Sequence, residues 1–145
     1  CKIVFQINFI EDGDRTIVYR SFGPCLAITN VDSSDNLLQA YEFLNLYITT
    51  LSQYFPNLSY QVILQNPYKL HVVLEEMVIG GHIVETSSSN ALGYLRLLDD
   101  VQIEFSVHYS ISQDDNTNYC YIIKYSFVLV IVCFNTLPLH NFIFS

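Results

Sequence analysis

The sequence predicts one α+β domain, in which an antiparallel sheet is flanked by helices. The first third consists of apolar, β-branched runs separated by turn residues, and from there on the apolar residues recur every three or four positions. A length of 145 residues suits a single domain. A composition that is 51% hydrophobic and only 14% charged supports a buried core and excludes a disordered chain.

The first three runs predict a meander of antiparallel strands. Residues 2–10 and 15–22 are rich in Ile, Val, Phe and Tyr, and residues 11–14 between them contain Asp-Gly, a strong hairpin signal. A third strand over residues 25–31 follows Gly23-Pro24. Because proline cannot donate to a ladder, that strand is expected to begin after it.

The next segment predicts a helix of about five turns. Asp and Ser residues at 32–35 offer N-caps, and Pro56-Asn57 ends the helix. The apolar stripe recurs at spacings of four and three, at Leu37, Tyr41, Leu44, Ile48, Leu51 and Phe55. Residues 58–65, which are apolar and short, are predicted to be extended.

Two further helices follow. Asn66-Pro67 predicts a helix start, and Gly80-Gly81 predicts its end. Residues 82–85 are predicted to be extended, and Thr86 or Ser87 caps a last amphipathic turn or two. The predicted inward residues of the two helices are Leu70, Val73, Leu74, Met77, Ala91, Leu92, Leu95 and Leu98.

The composition of the chain changes after residue 100. We therefore divide it into a domain over residues 1–100 and an atypical hydrophobic tail of unknown role over residues 101–145. Residues 127–134 are eight consecutive apolar positions, fewer than the roughly 20 that a spanning helix needs. Their Val and Ile content suits a buried strand equally well, so a small single-pass membrane protein stays an alternative.

The composition and motifs predict no enzyme, metal site or cofactor. A net charge of −8 argues against a nucleic-acid partner. His71 and Glu75 are expected to meet on a solvated helix face, and the serines at 87–89 suit a helix cap better than the nucleophile of a small hydrolase. The four cysteines show no CxxC pair, and we expect reduced, buried thiols in a cytosolic protein.

Several short motifs in register resemble one family. Asn-Phe-Ile-Glu lies at residues 8–11, Val-Tyr-Arg at 18–20 and Tyr-Phe-Pro-Asn-Leu at 54–58. Over residues 75–87, a helix that ends in Glu-Glu-Met is followed by Gly-Gly and then by Glu-Thr-Ser. Over residues 8–98 this run resembles the small (sigma) subunits of clathrin-adaptor complexes. The zeta subunit of coatomer, a relative, is the nearest rival.

The resemblance implies a longin-like α+β fold that is truncated at the N-terminus, because sigma subunits begin with about two more strands and a helix. It implies a non-enzymatic core subunit of a heterotetrameric vesicle-coat adaptor, with large adaptin-type and medium subunits as partners. The complex would be cytoplasmic and peripheral on coated vesicles at the Golgi, endosomes or plasma membrane. Sigma subunits of the endocytic type bind dileucine sorting peptides, and the matching positions here are Gly23, Cys25, Ile48, Asn57, Leu58 and Ile63.

Overall fold

Eight strands and four helices make up the described part of the chain. The computed structural model describes residues 8–101, 111–114, 117–124 and 127–134. The strands are β1 Asn8–Asp12, β2 Arg15–Phe22, β3 Cys25–Asp32, β4 Val78–Ile79, β5 His82–Ile83, β6 Ile111–Asp114, β7 Thr117–Lys124 and β8 Phe127–Phe134. The helices are α1 Leu37–Tyr54, α2 Tyr60–Gln65, α3 Pro67–Met77 and α4 Ser88–Val101.

Six strands form one antiparallel sheet in the order β1-β2-β3-β8-β7-β6. The predicted meander of β1, β2 and β3 is confirmed, with residues 2–7 of the first predicted strand lying outside the described residues. Gly13 turns the chain between β1 and β2 with φ 62°, a conformation that glycine adopts without the steric penalty of a Cβ. The remaining two strands, β4 and β5, form a separate small hairpin.

The C-terminal strands extend this sheet beyond residue 100. β8 pairs with β3, with Ala27 opposite Ile131, and β7 pairs with β8 on its other side. The run over residues 127–134, whose composition suited a strand or a spanning helix, is therefore a strand. Among the described residues there is no helix both long and apolar enough to cross a membrane.

One face of the sheet packs against α1. Alternate residues of β2 and β3, including Val18 and Ala27, are buried beneath the helix. The residues between them, such as Ile17, Leu26 and Ile28, point to the opposite face and stay half-buried. The core therefore lies between this sheet and the helices.

Helix α1 begins at Leu37, the first residue of the predicted stripe, but its N-cap is not one of the expected Asp and Ser residues at 32–35. Asn36 is the N-cap, and its Oδ1 accepts hydrogen bonds from the backbone N–H groups of Leu38 at 3.0 Å and Gln39 at 3.3 Å. The predicted stripe is buried at Leu44, Ile48 and Leu51 and half-buried at its other three positions.

The buried surface of α1 is wider than that stripe. Phe43 and Tyr47 are also buried, because α1 contacts α3 and α4 as well as the sheet. Sequence periodicity indicates one contact face, whereas a helix between two layers buries two.

The prediction that residues 58–65 are extended is wrong. They contain the six-residue helix α2, whose N-cap Ser59 accepts a hydrogen bond from the N–H of Val62 at 3.4 Å. The β-branched residues favour a strand, but the cap and the full burial of Ile63 in the core favour the helix. Local propensity is a weak guide over so few residues.

The later helices are as predicted, with altered bounds. α3 has Pro67 at its first turn, and α4 has 14 residues, longer than the predicted turn or two. Gly80 and Gly81, at φ 59° and 82°, turn the β4–β5 hairpin rather than ending α3 directly. All eight residues predicted to point inward from the two helices are buried.

Tyr47→Phe is expected to lower the free energy of unfolding by about 1 kcal/mol. The buried Tyr47 hydroxyl donates a 2.7 Å hydrogen bond to the carbonyl oxygen of Leu70, which joins α1 to α3. Denaturant unfolding measures the change, with Tyr41→Phe on the same helix as the control because Tyr41 is only half-buried. Equal stabilities of the two variants would contradict this role.

Candidate functional site

The six residues matched to a dileucine site lie at one end of α1 and of the sheet. Gly23 is in the β2–β3 turn, Cys25 begins β3 and Ile48 lies in the second half of α1. Asn57 and Leu58 belong to the connection from α1 to α2, and Ile63 lies in α2. Two connections, one strand and two helices thus contribute to the set.

Burial separates the six into an apolar interior and an exposed rim. Cys25, Ile48 and Ile63 belong to one buried core cluster, and Leu58 is partly buried against that cluster. Gly23 and Asn57 are exposed. Three of the six therefore belong to the general core of the domain, Leu58 borders that core, and the other two lie at the surface.

The expectation that the cysteines are reduced is wrong for Cys25, which is disulfide-bonded. Cys25 is fully buried at the start of β3. The pairing of β3 with β8 places Cys133 directly opposite it in the ladder. Such a juxtaposition arises from the sheet order and cannot be inferred from cysteine spacing along the chain.

A polar cluster that the sequence analysis missed joins three helices. Lys69 Nζ lies 3.0 Å from Asp99 Oδ1 and donates a 2.8 Å hydrogen bond to the Tyr54 hydroxyl. That hydroxyl donates in turn to Asp99 Oδ2, and Lys69 Nζ also lies 5.1 Å from the centre of the Tyr54 ring. The cluster fastens the end of α1 to the start of α3 and the last turns of α4.

The ionisation of this cluster follows from its contacts. Burial, together with the hydrogen bond to Asp99, raises the pKa of Tyr54. Burial opposes the charged forms of Lys69 and Asp99, but their hydrogen bonds to each other and to Tyr54 outweigh it. The pKa of Lys69 is therefore raised and that of Asp99 lowered, so the ion pair is charged at neutral pH.

The stability of the fold is expected to fall in acid through Asp99. Because the pKa of Asp99 is lower in the folded chain than its ordinary 3.8, its contribution is complete above that value and is lost as the pH falls through the folded pKa. With side chains 29% and 38% exposed, the Lys69–Asp99 pair contributes about 1 kcal/mol or less. Urea unfolding of wild type and Asp99→Asn between pH 6 and pH 2 measures this: the difference should shrink in acid, and a constant difference would contradict it.

The other polar motifs have structural roles. His71 Nε2 lies 3.3 Å from Glu75 Oε1 one turn along α3, as predicted, but the His71 side chain is only 16% exposed, so the expected solvated face is wrong at this residue. Ser87 Oγ accepts from the N–H of Asn90 at 3.5 Å, so Ser87 caps α4, and Glu85 accepts from the N–H of Ser87 itself at 2.7 Å. Within the described ranges, no three His, Cys, Asp or Glu residues are grouped to hold a metal ion.

Comparison with known proteins identifies the family. A sequence model of the clathrin adaptor complex small chain matches residues 3–102, more than half of the chain. The chain belongs to the clathrin adaptor small-chain family. Its α+β architecture, with an antiparallel sheet flanked by helices, agrees with the longin-like fold expected for this family.

Individual relatives agree with this assignment. The chain is 35% identical to human AP-4 complex subunit sigma-1 over 94 residues, which are 65% of each chain. It is 37% identical to the AP-4 complex subunit sigma of Arabidopsis thaliana over 94 residues, 65% of this chain and 66% of the relative. It is 30% identical to the AP-2 complex subunit sigma of Schizosaccharomyces pombe over 98 residues, 68% of each. The chain thus spans about two thirds of the length of these relatives.

Proposed function

We propose that this protein is a non-enzymatic sigma subunit of a heterotetrameric adaptor complex in vesicle transport. The observation that carries the proposal is the family match over residues 3–102. The complex is of the AP-4 kind, since the AP-4 relatives are 35–37% identical and the AP-2 relatives 30–33%. Its partners are a large adaptin-type subunit and a medium subunit, which hold it at the surface of vesicles.

The exposed apolar residues support the proposal that the chain assembles with other subunits. Large apolar side chains on α1, the β4–β5 hairpin and α4 remain 46–62% exposed: Leu38, Ile79, Val84, Tyr94 and Leu97. Scattered single apolar residues are ordinary on a surface, but Tyr94 and Leu97 lie one turn apart on the same side of α4. Burial of these side chains against a neighbouring subunit would stabilise the complex.

Affinity capture tests the assignment to AP-4. The full chain is expected to bind the large subunit of AP-4 more tightly than that of AP-2, with human AP-4 sigma-1 as the positive control. Equal binding or a preference for AP-2 would overturn the AP-4 assignment. Binding to neither would overturn the adaptor role itself.

Within the complex, we propose that the six-residue set binds dileucine sorting peptides. Cys25, Ile48 and Ile63 form the apolar interior, and the half-buried Leu58 is the side chain that a peptide leucine would touch. Burial of two leucine side chains contributes about 1.5–3 kcal/mol each, which reaches micromolar affinity only with further polar contacts. Exposed Asn57 supplies an amide for such contacts.

Leu58→Ser is expected to weaken binding of a dileucine peptide about tenfold, because one apolar wall of the site becomes polar. Fluorescence titration of the assembled complex with a labelled peptide measures the affinity. Ile10→Ser is the matched control, since Ile10 is 54% exposed on β1 and lies outside both the six-residue set and the apolar residues assigned above to a subunit contact. If the Leu58 variant assembles and binds the peptide as wild type does, the six residues are core and the cargo site lies elsewhere.

A further inference from the structure

A cleft of about 340 Å³ opens at the other end of α1. It lies between the end of β3, the first turn of α1 and the Gly80-Gly81 turn of the β4–β5 hairpin. None of the six residues of the dileucine set lines it. Its volume stands at the lower end of the range for ligand pockets, which suits a single long side chain better than a cofactor.

The cleft has an apolar floor and a polar rim. Val31, Phe43 and half-buried Ile83 supply apolar surface from three different elements. Asn30 and Gln39 add exposed side-chain amides at the rim. An occupant must therefore combine an apolar stem with a polar end.

The charged residues at the rim indicate whether the polar end of the occupant is a cation or an anion. Asp35 is exposed there, and the residues lining the cleft include His82 but no Lys or Arg. The nearest cation along the ladder, Arg15, stands opposite Asp32 and does not line the cleft. The lining thus carries one carboxylate and no Lys or Arg, within a chain of net charge −8.

The N-terminus of α1 does not reverse this preference. A helix N-terminus attracts anions when its first N–H groups are free. Here Asn36 Oδ1 already accepts from the N–H groups of Leu38 and Gln39, and the Asn36 carbonyl accepts from Ala40. An anion would meet the Asp35 carboxylate without gaining those donors.

We propose that this cleft binds one arginine or lysine side chain presented by another subunit of the adaptor complex. The aliphatic stem lies on Phe43 and Ile83, and the cationic end reaches the Asp35 carboxylate. That another subunit presents this side chain rests on the proposed function. The recognition itself is a property of this chain.

Titration of the full chain with small probes tests the recognition without any partner. N-acetyl-arginine methylamide and N-acetyl-lysine methylamide are expected to shift the NMR signals of Ala40 and Gly80 with millimolar affinity, whereas the norleucine and glutamate analogues bind at least fivefold more weakly. Asp35→Asn should weaken binding of the basic probes about fivefold, the effect of a partly exposed ion pair. Asp14→Asn, in the β1–β2 turn, is the matched control.

A second variant and the complex make the outcomes distinct. Ala40→Phe fills the cleft from α1 and should abolish probe binding. Asp35→Asn should weaken association with the large subunit about fivefold, while Asp14→Asn leaves it unchanged. If the norleucine or glutamate probes bind as tightly as the basic probes, a basic side chain is not the occupant. The same follows if Asp35→Asn leaves binding of the arginine and lysine probes unchanged. If Asp35→Asn leaves assembly unaffected, the basic side chain does not come from another subunit of the complex, and the adaptor role itself still stands.

Discussion

Leu44→Ala is expected to lower the free energy of unfolding by about 2–5 kcal/mol. Leu44 is fully buried in the middle of α1, the helix that contacts the sheet on one side and α3 and α4 on the other. Truncation leaves a cavity between these layers, which relax only in part. Domains are stable by only about 5–15 kcal/mol, so this single change removes a large share.

Leu38→Ala is the matched control for that change. Leu38 lies on the same helix but is 48% exposed, so the same truncation should cost about 0.5 kcal/mol or less. Chemical denaturation followed by far-UV circular dichroism measures both variants. Similar losses would show that α1 does not lie between the two layers.

Val130→Pro is expected to destabilise the fold by about 3 kcal/mol or more. Val130 lies in β8, opposite Ile28 of β3 on one side and Tyr121 of β7 on the other. Proline removes an N–H donor and is excluded sterically from interior strands. The expected loss is large because β8 has a neighbour on both sides, unlike an edge strand such as β1.

Val130→Thr separates the backbone effect from the side-chain change, because threonine keeps the N–H group and suits a strand. Thermal unfolding of the two variants is expected to differ by more than 10 °C for a domain of this size. If the proline variant melts with the threonine variant, residues 127–134 do not belong to the sheet, and the role of residues 101–145 must be sought outside the fold.

Local patterns were enough to predict the elements whose signals are strong. The Asp-Gly turn at residue 13 and the four-and-three stripe of α1 both follow from local backbone and packing rules. The same rules failed for α2, where a helix of six residues is too short to show a period. Caps and tertiary burial decide such a short segment.

Features built from distant residues could not be predicted. Tyr54, Lys69 and Asp99 are 15 and 30 residues apart along the chain, and only the packing of three helices brings them together. The disulfide of Cys25 and the place of β8 beside β3 depend on sheet order in the same way. The six dileucine positions came from resemblance, and their role stays a prediction, because membership of the core does not distinguish a peptide pocket from ordinary packing.

Reconstitution of the heterotetramer tests the central claim most directly. The full chain is co-expressed with the large and medium subunits of AP-4, and size-exclusion chromatography with light scattering measures the mass of the assembly. The account predicts that the chain elutes within a four-subunit complex in equimolar amount, as human AP-4 sigma-1 does in a parallel preparation. If the chain elutes alone while the same subunits assemble with human AP-4 sigma-1, this protein does not act as an AP-4 sigma subunit.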